Sequence, residues 1–129
     1  MRRLIQPFVI ILGVTLAGFS LPACQSQNRS GDKKAVEVQS VAVEVNGTKF
    51  WIPSHITVNK GDTVKLHLVS KVPAPNTVHG FAIEAFKIAE VVDGKGKDIE
   101  FVADKEGIFP IKCHLHPAHI GGQLVVLED

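Results

Sequence analysis

One thiol and three imidazoles stand in a single run of seven residues, Cys113-His114-Leu115-His116-Pro117-Ala118-His119, and a further histidine, His79, lies upstream in Thr77-Val78-His79-Gly80-Phe81. Thiolate and imidazole are soft-to-borderline donors that suit copper or zinc and suit calcium or magnesium poorly. Cys113, His116 and His119 are spaced by three and three, so a loop that curls between two strands converges their side chains on one point. Pro117 stiffens that loop, and Gly121-Gly122 lets the backbone turn back into the next strand. His114 alternates away from Cys113 and is expected to point outward. His79, from a neighbouring strand, supplies a fourth donor. The expected chemistry is one copper ion held by His79, Cys113, His116 and His119. Tetrahedral zinc on one cysteine and three histidines is the competing reading. No catalytic residue is assigned.

The rest of the chain must deliver these residues to the right compartment and hold them on a scaffold. Met1-Arg2-Arg3 is a basic head, Leu4 to Leu21 is uncharged and apolar, and a small residue, Ala23, precedes Cys24. Basic region, apolar region and small-residue cleavage site make a secretory signal. A membrane span is the alternative, although the apolar run of about 18 residues is near the lower limit for one. Leu21-Pro22-Ala23-Cys24 resembles the lipobox of bacterial lipoproteins, which implies a lipid on Cys24 and a periplasmic or otherwise extracytoplasmic protein anchored to a membrane without spanning it. The expected organisation is a lipoprotein signal over 1–23, a flexible polar linker over 24–39 and one domain over 40–129.

Loss of Arg2 and Arg3 with the signal leaves 12 basic against 13 acidic residues, a net charge of about −1. No basic block remains, which gives no support for nucleic-acid binding. The exported chain has two cysteines, Cys24 and Cys113. With Cys24 lipidated, Cys113 is a lone thiol in an oxidising compartment, and ligation of a metal by its thiolate would protect it. A Cys24–Cys113 disulfide is the alternative, but it leaves the surrounding histidines without a purpose.

From Val36 onward the pattern is short strands and turns. Val41, Val43 and Val45 alternate with Ala42 and Glu44, and Asn46-Gly47 is a hairpin signal. Further strands are expected at Thr48 to Ile52, Ile56 to Val58, Val64 to Val69, Val78 to Phe86, Ala89 to Val92, Ile99 to Ala103, Ile108 to Cys113 and Gln123 to Leu127, with Lys71 to Asn76 a proline-containing loop. Some eight short strands over about ninety residues, with no sustained helical periodicity, predict an all-β sandwich. Trp51 and the phenylalanines outside the signal are read as core. His67, beside Lys65 on the polar side of its strand, His55 in a loop, and the carboxylates Glu84 and Glu90 are read as surface groups.

Gly61-Asp62-Thr63-Val64, His79-Gly80-Phe81, Phe101-Val102-Ala103-Asp104, Gly107-Ile108-Phe109 and the Cys113 loop, in that order, resemble a cupredoxin, and the resemblance covers about Trp51 to Leu127. It implies a Greek-key sandwich with His79, Cys113 and His116 as equatorial copper ligands. In short-loop members a methionine follows three residues later as the axial ligand. Here His119 stands in that place, and Met1 is the only methionine. The likeness is nearest to the red-copper nitrosocyanin type, whose carboxylate ligand falls where His79 stands. Dinuclear relatives need a second cysteine at the position of Pro117, which excludes that kind of centre. The resemblance implies a one-electron carrier with a redox partner protein. A copper storage, delivery or sensing module and a small copper enzyme with an open coordination site are the other expectations. An axial imidazole is expected to lower the reduction potential and shift the spectrum from blue toward red or green.

Overall fold

The computed structural model describes residues 33–128, so the signal over 1–23 and Cys24 lie outside the described residues. The chain runs through β1 (Ala35–Val45), β2 (Thr48–Ile52), β3 (His55–Asn59), β4 (Thr63–Ser70), β5 (His79–Ile83), a 3-10 turn (Glu84–Phe86), β6 (Ile88–Val92), β7 (Lys97–Val102), β8 (Gly107–Ile111) and β9 (Gly122–Leu127). Among the described residues nine strands thus stand, one at each of the nine stretches read as strands from the sequence, against the rounded count of about eight. They form a four-stranded sheet in the order β2-β1-β4-β7, a three-stranded sheet β3-β9-β8 and the hairpin β5-β6. The pairs β1–β4 and β3–β9 are parallel and the others antiparallel. A parallel pair requires a crossover, and these crossovers build the Greek-key, cupredoxin-like sandwich that the sequence predicts.

Two expected boundaries move. The stretch 35–39, expected as the end of the flexible linker, is the first half of β1 and pairs with β4 from Ala35–Thr63 onward. Its polar residues Glu37 and Gln39 are exposed, whereas Val36 and Val38 pack against the core, so a period-2 strand is hidden in a polar composition. The same phase continues along β1: Ser40 and Ala42 are buried and Val45 is 52% exposed. The strand expected over Val78 to Phe86 stops at Ile83. Glu84–Phe86 closes as a 3-10 turn, with Lys87 in the left-handed region at φ 57° and its N–H donating to the Glu84 carbonyl.

The core lies between the sheets. Val64, Leu66 and Leu68 of β4, Phe81 and Ile83 of β5, Val92, Ile111 and Leu124 are all within 2% of complete burial. Each large apolar side chain removed from water contributes about 1.5–3 kcal/mol. Trp51 meets Phe81 edge to face, with ring centroids 5.2 Å apart. Asp62 ties the strand ends together: its carboxylate accepts the N–H groups of Asn59 at 2.9 Å and Lys34 at 3.0 Å, and its carbonyl accepts the Ala103 N–H at 2.9 Å.

The loop between β8 and β9 is pinned on both sides. Ala82 of β5 and Lys112 exchange two backbone hydrogen bonds of 2.9 Å, and the Ile120 N–H donates to the Lys49 carbonyl of β2 at 3.0 Å. Gly121-Gly122 serves this loop for a reason other than turning. Neither glycine has a positive φ. A Cβ on Gly122 would lie 2.1 Å from the Ser54 carbonyl oxygen, which accepts the Gln123 N–H at 2.7 Å. The pair is needed for close approach of backbone to backbone.

Candidate metal centre

His79 opens β5 and is 1% exposed. Its Nε2 lies 3.0 Å from the Asn76 carbonyl oxygen. A carbonyl only accepts, so Nε2 carries the proton and the lone pair of Nδ1 faces inward. Cys113, 8% exposed, leaves β8 with its Sγ 3.2 Å from the Gly80 N–H, which donates to it. The loop then turns so that the His119 N–H donates to the His116 carbonyl at 3.1 Å, and the two rings stack with centroids 4.7 Å apart. The structure therefore brings together all four residues singled out from the sequence: donor atoms of His79, Cys113, His116 and His119 lie within 4.8 Å of one another.

The separations within that group test its fit to a metal. His79 Nδ1 is 3.3 Å from His119 Nδ1, and Cys113 Sγ is 3.7 Å from His116 Nδ1. Metal bonds of about 2.0–2.1 Å to nitrogen and about 2.3 Å to sulfur, at tetrahedral angles, place two nitrogens about 3.3 Å apart and sulfur and nitrogen about 3.6 Å apart. These two pairs already stand at the separations of bound donors, while the group as a whole, which spans up to 4.8 Å, contracts to close on one ion. Burial lowers the pKa of His79 below 6.5; the neighbouring His116 adds to that, against the Asn76 hydrogen bond, which raises it. Burial is also the first cause at His119, followed by the charges of His79 and His116. Neutral imidazole is the ligating form, so these shifts favour metal binding.

Other candidates fall outside the group. His114 is exposed, and its ring lies against Gly80, where an added Cβ would come within 2.7 Å of its Nδ1. Glu84 pairs with Lys112 at 3.3 Å, and Glu90 pairs with Lys97. His67 contacts Asp98 on the exposed face of β4 and β7, and His55 meets the Ser54 hydroxyl at 3.0 Å. Sequence reasoning missed the backbone groups that orient the donors, the Asn76 carbonyl and the Gly80 amide. The glycine directly after His79 was a usable signal for close approach; a carbonyl in a proline-containing loop carries none.

The sandwich and this cluster can be set beside known proteins. The family model of the cupredoxin-like domain matches residues 9–126. The chain belongs to the cupredoxin-like family. Among solved structures, this cupredoxin is similar to the copper nitrite reductase of Nitrosomonas europaea, with a TM-score of 0.58 and 22% identity over 74% of this chain and 42% of that one, so it spans less than half of the reductase. It is also similar to the periplasmic domain of cytochrome oxidase subunit II of Bradyrhizobium japonicum (TM-score 0.55, 16% identity, 73% and 85% of the two chains). The metal-binding domain of the Cu(I)-exporting P-type ATPase of Streptococcus pneumoniae is a third (TM-score 0.54, 20% identity, 76% and 100%). At these identities the likeness is one of fold. No curated protein matches the chain. The cupredoxin fold and the His/Cys/His/His group together point to copper as the ion.

Proposed function

We propose that this cupredoxin holds one copper ion between His79, Cys113, His116 and His119 and passes single electrons to a redox partner protein outside the cytoplasm, tethered to a membrane by a lipid on Cys24. The observation that carries the reading is the set of separations in the cluster, 3.3 Å between imidazole nitrogens and 3.7 Å from sulfur to nitrogen. Four protein donors fill a four-coordinate ion and leave no place for a substrate, which suits electron transfer. Asn76 and Gly80 hold His79 and Cys113 by backbone hydrogen bonds, so the donors need little rearrangement when copper changes oxidation state. Bound copper would supply a one-electron couple whose potential the protein tunes. Val78, Leu115 and Ile120, exposed by 39%, 40% and 57%, flank the donor residues and offer an apolar surface to a partner. The signal-like head and the likeness to a periplasmic oxidase domain support the location.

His119 gives the centre its character. An imidazole in place of a thioether donates more strongly and favours Cu(II), so the potential is low and the spectrum red or green rather than blue. Visible and electron paramagnetic resonance spectra of the Cu(II)-loaded wild type and His119→Ala test this. Absence of a thiolate-to-copper band in the wild type removes the carrier reading, and an unchanged spectrum in the variant removes His119 from copper.

One observation favours a second reading, a copper centre with an open position. A cavity of about 420 Å³ is lined by Cys113, His114, Pro117 and His119 with the Glu84–Lys112 pair, a volume suited to a small ligand. Azide that perturbs the copper spectrum with saturable affinity would select this reading over the closed carrier.

A further inference from the structure

The β5 edge that faces the Cys113 loop departs from regular pairing at one residue. Ala82 and Lys112 exchange both backbone hydrogen bonds in an antiparallel bridge. Two residues further on, the same register places Gly80 opposite His114, and Gly80 is expected to exchange the same two bonds with it. Instead, the Gly80 N–H donates to Cys113 Sγ at 3.2 Å, and the Gly80 carbonyl accepts the indole N–H of Trp51 at 3.1 Å. Trp51 comes from β2, which pairs with β1 and not with β5. Its side chain is 4% exposed and is held edge to face on Phe81, the residue after Gly80. Two side chains thus take the places of a ladder acceptor and a ladder donor. Without the indole, a buried carbonyl would lack its partner, a cost of about 1–3 kcal/mol that the backbone would relieve by turning that carbonyl toward water. That turn would carry the Gly80 N–H away from the sulfur.

We infer that Trp51 is a positioning residue for the metal centre: its indole holds the Gly80 backbone so that the Gly80 N–H donates to the Cys113 thiolate, and through that bond it sets how strongly sulfur donates to the metal. The part concerning the metal rests on the copper reading above; the clamp itself does not. A hydrogen bond to the thiolate withdraws electron density from sulfur, favours Cu(I) over Cu(II) and raises the energy of the thiolate-to-copper transition. Loosening it does the reverse.

Trp51 is the only tryptophan in the chain, so global replacement of tryptophan by benzothienylalanine changes position 51 alone. This isostere keeps the shape and removes the N–H. Trp51→Phe is the second variant and Phe81→Leu the control, which loses the ring contact and keeps the indole donor. In metal-free protein, hydrogen exchange of the Gly80 amide is expected to accelerate about tenfold in the isostere and in Trp51→Phe and to stay unchanged in Phe81→Leu. In copper-loaded protein, the isostere is expected to shift the thiolate-to-copper band to lower energy. It should also lower the potential by about 59 mV, the equivalent of tenfold in the Cu(II)/Cu(I) affinity ratio. Unchanged Gly80 exchange overturns the clamp. Faster exchange with an unmoved band and potential overturns its link to sulfur. If the wild type shows no thiolate-to-copper band, the copper reading fails, and Gly80 exchange in metal-free protein still decides for or against the clamp.

Discussion

The Nδ1 atoms of His79 and His119 face each other at 3.3 Å, forty residues apart in sequence. Because Nε2 of His79 donates to the Asn76 carbonyl, Nδ1 of His79 is a lone pair. When His119 presents the same, two lone pairs meet, and a cation between them relieves the conflict. We expect His119→Ala to weaken copper binding by at least the tenfold to hundredfold that loss of a group merely orienting a ligand causes, while leaving metal-free stability unchanged or slightly raised. Competition against a chromophoric chelator and denaturant unfolding of the metal-free protein measure the two effects.

The pH dependence of the metal-free protein follows from the same pair. Burial lowers both folded pKa values below 6.5. Above that value the imidazoles are neutral in both states and contribute no pH dependence. As pH falls below 6.5, the unfolded chain binds protons that the folded one refuses, so stability falls until the lowered folded values are reached. Denaturation midpoints should therefore drop as pH falls from about 6.5 to about 5.5, a range above most carboxylate titrations. His79→Gln combined with His119→Gln should flatten the dependence.

Much of this site is legible in the chain. The thiol and imidazole types, the three-and-three spacing and the distant His79 are enough to single out the four side chains that the fold brings together, because donor chemistry is a property of side chains. The alternation in β4, where Val64, Leu66 and Leu68 are buried, is as plain. Residues 35–39 are less so: Glu37 and Gln39 make a strand look like linker, and only pairing with β4 distinguishes the two. The Gly80 amide, the Asn76 carbonyl and the Trp51 indole are not visible as site groups, because their roles depend on which backbone atoms meet across 3 to 33 residues.

Ser40 offers a test of the core that is independent of metal. It is 0% exposed, and its hydroxyl has no hydrogen-bond partner among the described residues. A buried hydroxyl without a partner costs about 1–3 kcal/mol. Ser40→Ala removes the hydroxyl and little volume, so the midpoint of unfolding should rise by the equivalent of about 1 kcal/mol. A loss of that size would mean that the hydroxyl is satisfied in solution.

Partner contact is testable at Leu115, which is 40% exposed between His114 and His116. Leu115→Lys places a charge on the proposed docking surface without touching a donor atom. Electron self-exchange, measured from line broadening in mixtures of oxidised and reduced protein, should slow by about tenfold through charge repulsion and lost apolar contact. The visible spectrum should not move.

The most direct measurement is X-ray absorption at the copper edge on protein loaded with one equivalent of copper. Convergence of Cys113, His79, His116 and His119 on one ion requires one sulfur and three imidazole nitrogens around copper, with the sulfur lost in Cys113→Ser and one imidazole lost in His119→Ala. A wild-type spectrum with no sulfur scatterer, or one that neither substitution changes, would contradict it.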